Sequence, residues 1–154
     1  MILTVKRGNG VWSAPRAASF SGRYSDGGPV FSAEGHRVYF YSLRPRPGKA
    51  KENEGDIWFV ERHNGGWSEP GCLGLVSRFP ELQFAGQPSI ARNGTLYFLG
   101  HAEGPLNGYG IYCSRLVNGQ YAQPQLLPHG INLPRFLNWT PFIAAFSANA
   151  IVIS

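Results

Sequence analysis

Asn9-Gly10-Val11-Trp12-Ser13-Ala14-Pro15 returns as Asn64-Gly65-Gly66-Trp67-Ser68-Glu69-Pro70 and again as Asn118-Gly119-Gln120-Tyr121-Ala122-Gln123-Pro124. The aromatic position recurs after 55 and then 54 residues. Self-similarity at a fixed period of this size is the mark of a solenoid, propeller or array. Such repeats build a scaffold, and function resides in the loops that differ between copies.

The remaining segments repeat in the same phase. Gly28-Pro29-Val30-Phe31-Ser32-Ala33-Glu34-Gly35-His36-Arg37-Val38-Tyr39-Phe40 corresponds to Gln87-Pro88-Ser89-Ile90-Ala91-Arg92-Asn93-Gly94-Thr95-Leu96-Tyr97-Phe98, with a degraded third copy from Thr140-Pro141 to Ile151-Val152-Ile153. Gly55-Asp56-Ile57-Trp58 matches Tyr109-Gly110-Ile111-Tyr112, and residues 2–5 sit at the same offset. One unit therefore reads as four short strands, A to D. Runs of β-branched and aromatic residues bounded by Gly, Pro, Asn and Asp are strand signals. Asn-Gly between C and D predicts a type I′ hairpin, and Glu34-Gly35 and Asn93-Gly94 are expected to turn A into B in similar fashion. Several B and C strands are apolar at consecutive positions, as expected where both faces of a sheet are covered.

The composition agrees with an all-β chain dense in turns: twenty Gly and twelve Pro in 154 residues, 43% hydrophobic and 15% charged. No stretch approaches the roughly 18 consecutive apolar residues of a membrane span. Residues 1–11 lack the apolar core of a signal peptide, so none is expected within them. Cys72 and Cys113 lie at non-equivalent repeat positions and read as free thiols, with a disulfide as the alternative in an oxidising compartment.

The pattern Pro-x-(Ile/Phe)-x-x-(Asp/Asn/Glu)-Gly-x-x-(Leu/Val)-Tyr-Phe, then Asp-Ile-Trp, then Asn-Gly-x-Trp-Ser-x-Pro, resembles the WD40-like β-propeller repeats of the TolB/PD40 type. Where that family typically has Ser-Pro-Asp-Gly, this chain has Ser32-Ala33-Glu34-Gly35 and Ala91-Arg92-Asn93-Gly94, and residues 145–149 have lost the glycine. The resemblance implies bacterial, often periplasmic or envelope-associated proteins that act as interaction platforms or as propeller parts of larger enzymes. It implies no catalytic residues. On this reading the chain is one partial β-propeller domain over residues 1–154. Residues 1–15 supply strands C and D of one blade, 16–70 and 71–124 are complete blades, and 125–154 supply A and B of a further one. Three blade equivalents fall short of the roughly four to eight of a closed ring. A fragment of a larger propeller or one part of an oligomeric ring is therefore expected, the latter completed by further copies of the chain.

In propellers the D–A and B–C loops emerge at one end. Here they are residues 17–28, 74–87 and 127–140, and 43–55 and 100–110. Ligand-binding candidates in these loops are Arg23, Tyr24 and Asp26, Arg44 and Arg46, Arg78 and Glu81, and Arg135, Asn138 and Trp139, since arginine and aromatics most often carry interface energy. The cations of the 43–54 loop favour an anionic ligand or acidic partner; the plain alternative is a Pro-stiffened surface loop. Trp139, next to the start of a strand, also fits blade packing. Trp58 and Trp67 recur in blade register and read as core. His36, His63, His101 and His129 show no metal spacing. His101 and His129 fall in the loops, where a ligand role stands against an ordinary surface one. No nucleophile elbow, cofactor motif or specific nucleic-acid signature is present. The reading is a non-catalytic binding or scaffold module for a protein, peptide or glycan. Its alternative is the propeller portion of a peptidase or lyase whose catalytic part lies elsewhere.

Overall fold

A computed structural model describes residues 1–49, 55–103, 108–133, 140–143 and 151–153. It is all-β apart from one helical turn. The N-terminal layer is a ladder of short strands, β1 (Leu3–Thr4), β2 (Arg7–Gly8), β3 (Val11–Trp12) and β4 (Arg16–Ala17), in which β2 pairs with β3 and β1 with β4. A second layer is an antiparallel sheet of β5 (Asp26–Phe31), β6 (Arg37–Ser42) and β7 (Asp56–His63), with β8 (Gly66–Trp67) and β9 (Gly71–Cys72) both paired to β7. The turn α1 (Leu75–Arg78) leads into a third layer, where β10 (Leu82–Ile90), β11 (Leu96–Ala102) and β12 (Tyr109–Ser114) adjoin β15 (Gln125–Leu126). Between β12 and β15 lie β13 (Leu116–Val117) and β14 (Gln120–Tyr121), paired with each other. Finally β16 (Pro141–Ile143) pairs with β17 (Ile151–Ile153). Each sequence-predicted hairpin is present, and both complete units follow the order A-B-C-D.

The recurring phrase is a turn with a latch. Asn9, Asn64 and Asn118 have φ of 50°, 44° and 50°, and the glycines after them 78°, 79° and 78°. Two successive left-handed residues are what a type I′ turn requires. Ser13 Oγ accepts the Lys6 N–H, and Ser68 Oγ accepts the Glu61 N–H, each at 3.0 Å. The A–B turns differ from expectation. Gly35 (φ 70°) and Gly94 (φ 82°) are left-handed, but neither Glu34 nor Asn93 has positive φ. Gly35 and Gly94 N–H donate to the carbonyls of Ser32 and Ala91, at 2.9 Å each. That is a type I turn closed by one left-handed glycine, the usual solution when the loop is longer than two residues.

Consecutive apolar residues serve two cores, one on each face of the second layer. Val38, Phe40, Trp58 and Val60 join Ile2 and Ala18 of the N-terminal layer. Tyr39 and Ile57 turn the other way and join Leu82, Ala85, Ile90, Leu96, Phe98 and Tyr121 of the third layer. Strand β10 packs across β5, β6 and β7, and β16 across β10 and β11. Each layer thus uses its neighbours as the cover for its apolar face, which is how repeat arrays gain stability. The repeated aromatic records this stacking. Tyr121 is 3% exposed and Trp67 packs half-buried on the core it shares with the N-terminal layer, whereas Trp12 is 61% exposed. Among the described residues, no layer precedes the one that carries Trp12.

Cys72 and Cys113 are half-buried, unpaired thiols. Among the described residues, no helix is long and apolar enough to cross a membrane.

Candidate functional site

The loops predicted to carry ligand contacts gather at the end of the layers where β6 and β11 finish and β7 and β12 begin. At the first of them, Asp26 opens β5 and is 5% exposed. Its Oδ1 accepts from Ser42 Oγ at 2.6 Å and Arg44 Nη2 at 2.8 Å, and its Oδ2 from Ser21 Oγ at 2.7 Å. Burial pushes its carboxyl upward, but the hydrogen bonds from Ser42, Ser21 and Arg44, with the charge of Arg44, outweigh that and hold it below the ordinary carboxylate value. Arg44 also donates to Phe20 O at 3.0 Å, and its guanidinium lies 5.1 Å from the Phe40 ring centre and 5.2 Å from that of Trp58. Asp26 and Arg44, expected in the sequence to face a ligand, are both buried. They satisfy each other inside the protein, because two charges this far from water need partners to be tolerated at all. Tyr24 is stacked between Arg44, 5.6 Å away, and the exposed Arg23, 5.3 Å away. Only this outer pair presents itself to solvent.

Arg46 reaches α1, its Nη1 donating to Ser77 Oγ at 3.4 Å, and its charge bears on Asp56. Asp56 is fully buried; its carboxylate accepts the Ile57 N–H at 2.8 Å and, more distantly, the Val76 N–H at 3.4 Å. Burial raises its carboxyl, and these backbone donors with Arg46 only partly offset the effect. Burial, then the nearby Asp56 charge, pushes the Cys72 thiol up to about 12, which disfavours its thiolate form. In the next layer a different residue does the work of Asp56. Asn132 Oδ1 accepts the Ile111 N–H at 2.7 Å, and its Nδ2 donates to the carbonyls of Ile111 and Leu127. These are loop anchors.

Arg78 and Glu81 are not brought to Arg44 and Arg46. Arg78 donates to Tyr121 O at 2.7 Å, and Glu81 accepts from Gln123 Nε2, so both tie the connection after α1 to β14 and the segment that follows it. Arg135, Asn138 and Trp139 lie outside the described residues.

Sequence reasoning missed a row of rings at this same end. Tyr41, near the end of β6, lies 5.5 Å from Phe84 on β10, which lies 6.1 Å from Tyr109 at the start of β12. Tyr109 in turn lies 4.6 Å from His101, near the end of β11. The row crosses two layers. Tyr109 is 38% exposed, and the other three are half-buried. Burial and the neighbouring Tyr109 raise the Tyr41 phenol. The signal was in the glycines. A Cβ on Gly55 would stand 2.2 Å from Tyr41 Cε2, one on Gly86 2.6 Å from Phe84 Cζ, and one on Gly108 2.1 Å from His101 Nε2. Those positions are glycine because the rings occupy the space. A fixed row of ring faces and edges, tipped with two phenols and an imidazole, can stack on a flat ligand and hydrogen-bond at its margins.

Among the described residues no three His, Cys, Asp or Glu side chains converge as a metal site. The chain matches no protein-family model, no curated protein and no solved structure.

Proposed function

We propose that this chain is a non-catalytic binding module, built as part of a β-propeller resembling the TolB/PD40 type. Its loop end receives a glycan or peptide. The observation that carries the reading is the aromatic row Tyr41–Phe84–Tyr109–His101, laid across two layers where the B–C and D–A loops emerge. Two successive A-B-C-D sheets that share apolar cores support the propeller arrangement, as does the resemblance of their motifs. On this reading the chain supplies three blade equivalents. A closed ring of roughly four to eight blades draws the others from a longer polypeptide or from further copies.

Arg23 and Tyr24 form the margin of this face, and the Asp26–Arg44 pair holds the loop that carries them. The test is a screen of immobilised neutral oligosaccharides and peptides with native protein, Tyr109→Ala and Phe31→Ala. Phe31 is 57% exposed but lies at the opposite end, where β5 enters the A–B turn. A captured ligand should bind Tyr109→Ala at least about tenfold more weakly, the scale of an aromatic hot spot, and Phe31→Ala as well as native. Equal binding by native protein and Tyr109→Ala would overturn the assignment of the face.

A further inference from the structure

Strands β1, β7 and β12 hold the same place in successive layers. Each is paired on one edge in the same register, Thr4 with Arg16, Phe59 with Gly71 and Cys113 with Gln125. On that edge the carbonyls of Ile2, Ile57 and Ile111 accept the N–H groups of Ala18, Leu73 and Leu127, at 3.0, 2.9 and 2.9 Å. On the other edge β7 has β6, and β12 has β11. Among the described residues β1 has nothing there. Strand β17 is the missing counterpart. It holds the place of β6 and β11, because Val152 is paired with Phe142 as Tyr39 is with Val30 and Tyr97 with Ser89. Its second edge is also unpaired among the described residues.

Around these edges, side chains are exposed where their equivalents in other layers are buried. Leu3 and Val5 are exposed, whereas Trp58 and Val60 at the same places in β7 are buried. Phe31 is exposed, whereas Ile90 and Ile143 at the same place in strand A are buried. Phe142 is exposed, whereas Ser89 is buried and Val30 packs half-buried on the core shared by the second and third layers. Each exposure marks one neighbour that the other layers possess. Phe31 lacks an A strand on the N-terminal layer, Leu3 and Val5 lack a layer before them, and Phe142 lacks a layer after it. Open strand edges flanked by apolar side chains are templates for association.

We propose that β17 of a second copy of this chain pairs with β1, so that two chains share one four-stranded blade. The repeat register sets Val152 of the second copy opposite Thr4 and Ile153 opposite Leu3, as Tyr39 lies opposite Phe59 and Phe40 opposite Trp58. The second copy's β16 then covers Phe31. Its third layer, on which β16 already packs, covers Leu3 and Val5. Phe142 of the second copy meets the second layer of the first. The edge pairing follows from the register alone, whereas the number of copies rests on the propeller arrangement proposed above. Two chains of three blade equivalents make about six blades, inside the roughly four to eight of closed rings, and three chains make about nine. The assembly is therefore a dimer that forms the shared blade twice.

The test is disulfide trapping in the full chain under mild oxidation, with sedimentation equilibrium of the native protein beside it. Ile57 directs its carbonyl at β9, and Phe59, two residues on, lies on that same edge, so Phe59–Tyr39 is a pair without direct hydrogen bonds. The α-carbons of such a pair are about 4.5 Å apart, within disulfide reach. Thr4→Cys/Val152→Cys should therefore give a covalent dimer on a non-reducing gel. Leu3→Cys/Val152→Cys, slipped by one residue onto opposite faces, should not, and neither should the native chain with its own Cys72 and Cys113. The native protein should sediment at twice the 16.9 kDa of one chain. A native mass of one chain, equal trapping of the slipped pair, or a bond formed within one chain would overturn the edge pairing. Trapping of the matched pair in ladders of three or more chains would overturn the two-copy ring, and the propeller count with it. Ligand capture at the aromatic row, read from Tyr109→Ala, tests the binding face separately from either result.

Discussion

Gly28 and Gln87 hold the same place in successive repeats, each directly before a proline, and they meet between the layers. Gly28 has φ of 56° and Gln87 of 49°, at matching register shifts in β5 and β10. A Cβ on Gly28 would stand 2.7 Å from Gln87 Oε1. Strand A thus carries a bulge in both units, and the side chain of one bulge fills the space left by the glycine of the other.

Gly28→Ala should therefore destabilise the chain by about 1–2 kcal/mol, from a left-handed alanine and a displaced Gln87. Gln87→Gly relieves the same strain and should fall within about 1 kcal/mol of native. Urea unfolding of both variants checks this, and a neutral Gly28→Ala would mean that the two bulges are not in contact.

The two buried carboxylates predict opposite responses to pH. Asp26 is lowered from 3.8, so its contribution is complete above that value and is lost as pH falls through its native value. Asp56 is raised from 3.8, so its contribution is complete below that value and is lost as pH rises through its native value. Asp26→Asn should flatten the acid limb of a melting-temperature profile. It should also cost about 3–5 kcal/mol at neutral pH, because Arg44 keeps its buried charge without a partner. Asp56→Asn should instead flatten the decline above 3.8. Parallel pH profiles for the two variants would show that one carboxylate is misassigned.

The stack exposes apolar side chains at its two outer layers. Leu3 is 54% exposed and Trp12 61% on the N-terminal layer, and Phe142 is 60% exposed on β16. Light scattering of the isolated chain should show dimers, larger species or precipitation, since exposed apolar faces and free strand edges associate. A monodisperse 16.9 kDa monomer would require these surfaces to be stable in water.

The hairpins were legible because their determinants are local: Asn-Gly supplies the two left-handed residues at each C–D turn, and the serine of the first two copies sits four residues after the asparagine. The two-sided cores were legible too, since Val38-Tyr39-Phe40 is apolar without alternation. The A–B turns were misread, because Glu34-Gly35 and Asn93-Gly94 look like the Asn-Gly pairs of the C–D turns while only their glycines are left-handed. The fate of the loop charges was not legible. Asp26 and Arg44 are 18 residues apart, and nothing in either loop distinguishes a paired arginine from a free one. The aromatic row was hidden for a related reason: its members come from four strands and share no motif, and only Gly55, Gly86 and Gly108 betray the crowding around them.

The central claim is that successive repeats stack through a shared core. Tyr121 tests it most directly, since its phenol hydrogen-bonds that of Tyr39, 3.3 Å away and 82 residues earlier in the chain. Nuclear Overhauser spectroscopy on the labelled chain should show cross-peaks from Tyr39 and Ile57 to Tyr121 and Phe98, alongside those from Tyr39 to Phe59 within one sheet. Cross-peaks within each sheet but none between the sheets would contradict the stacking.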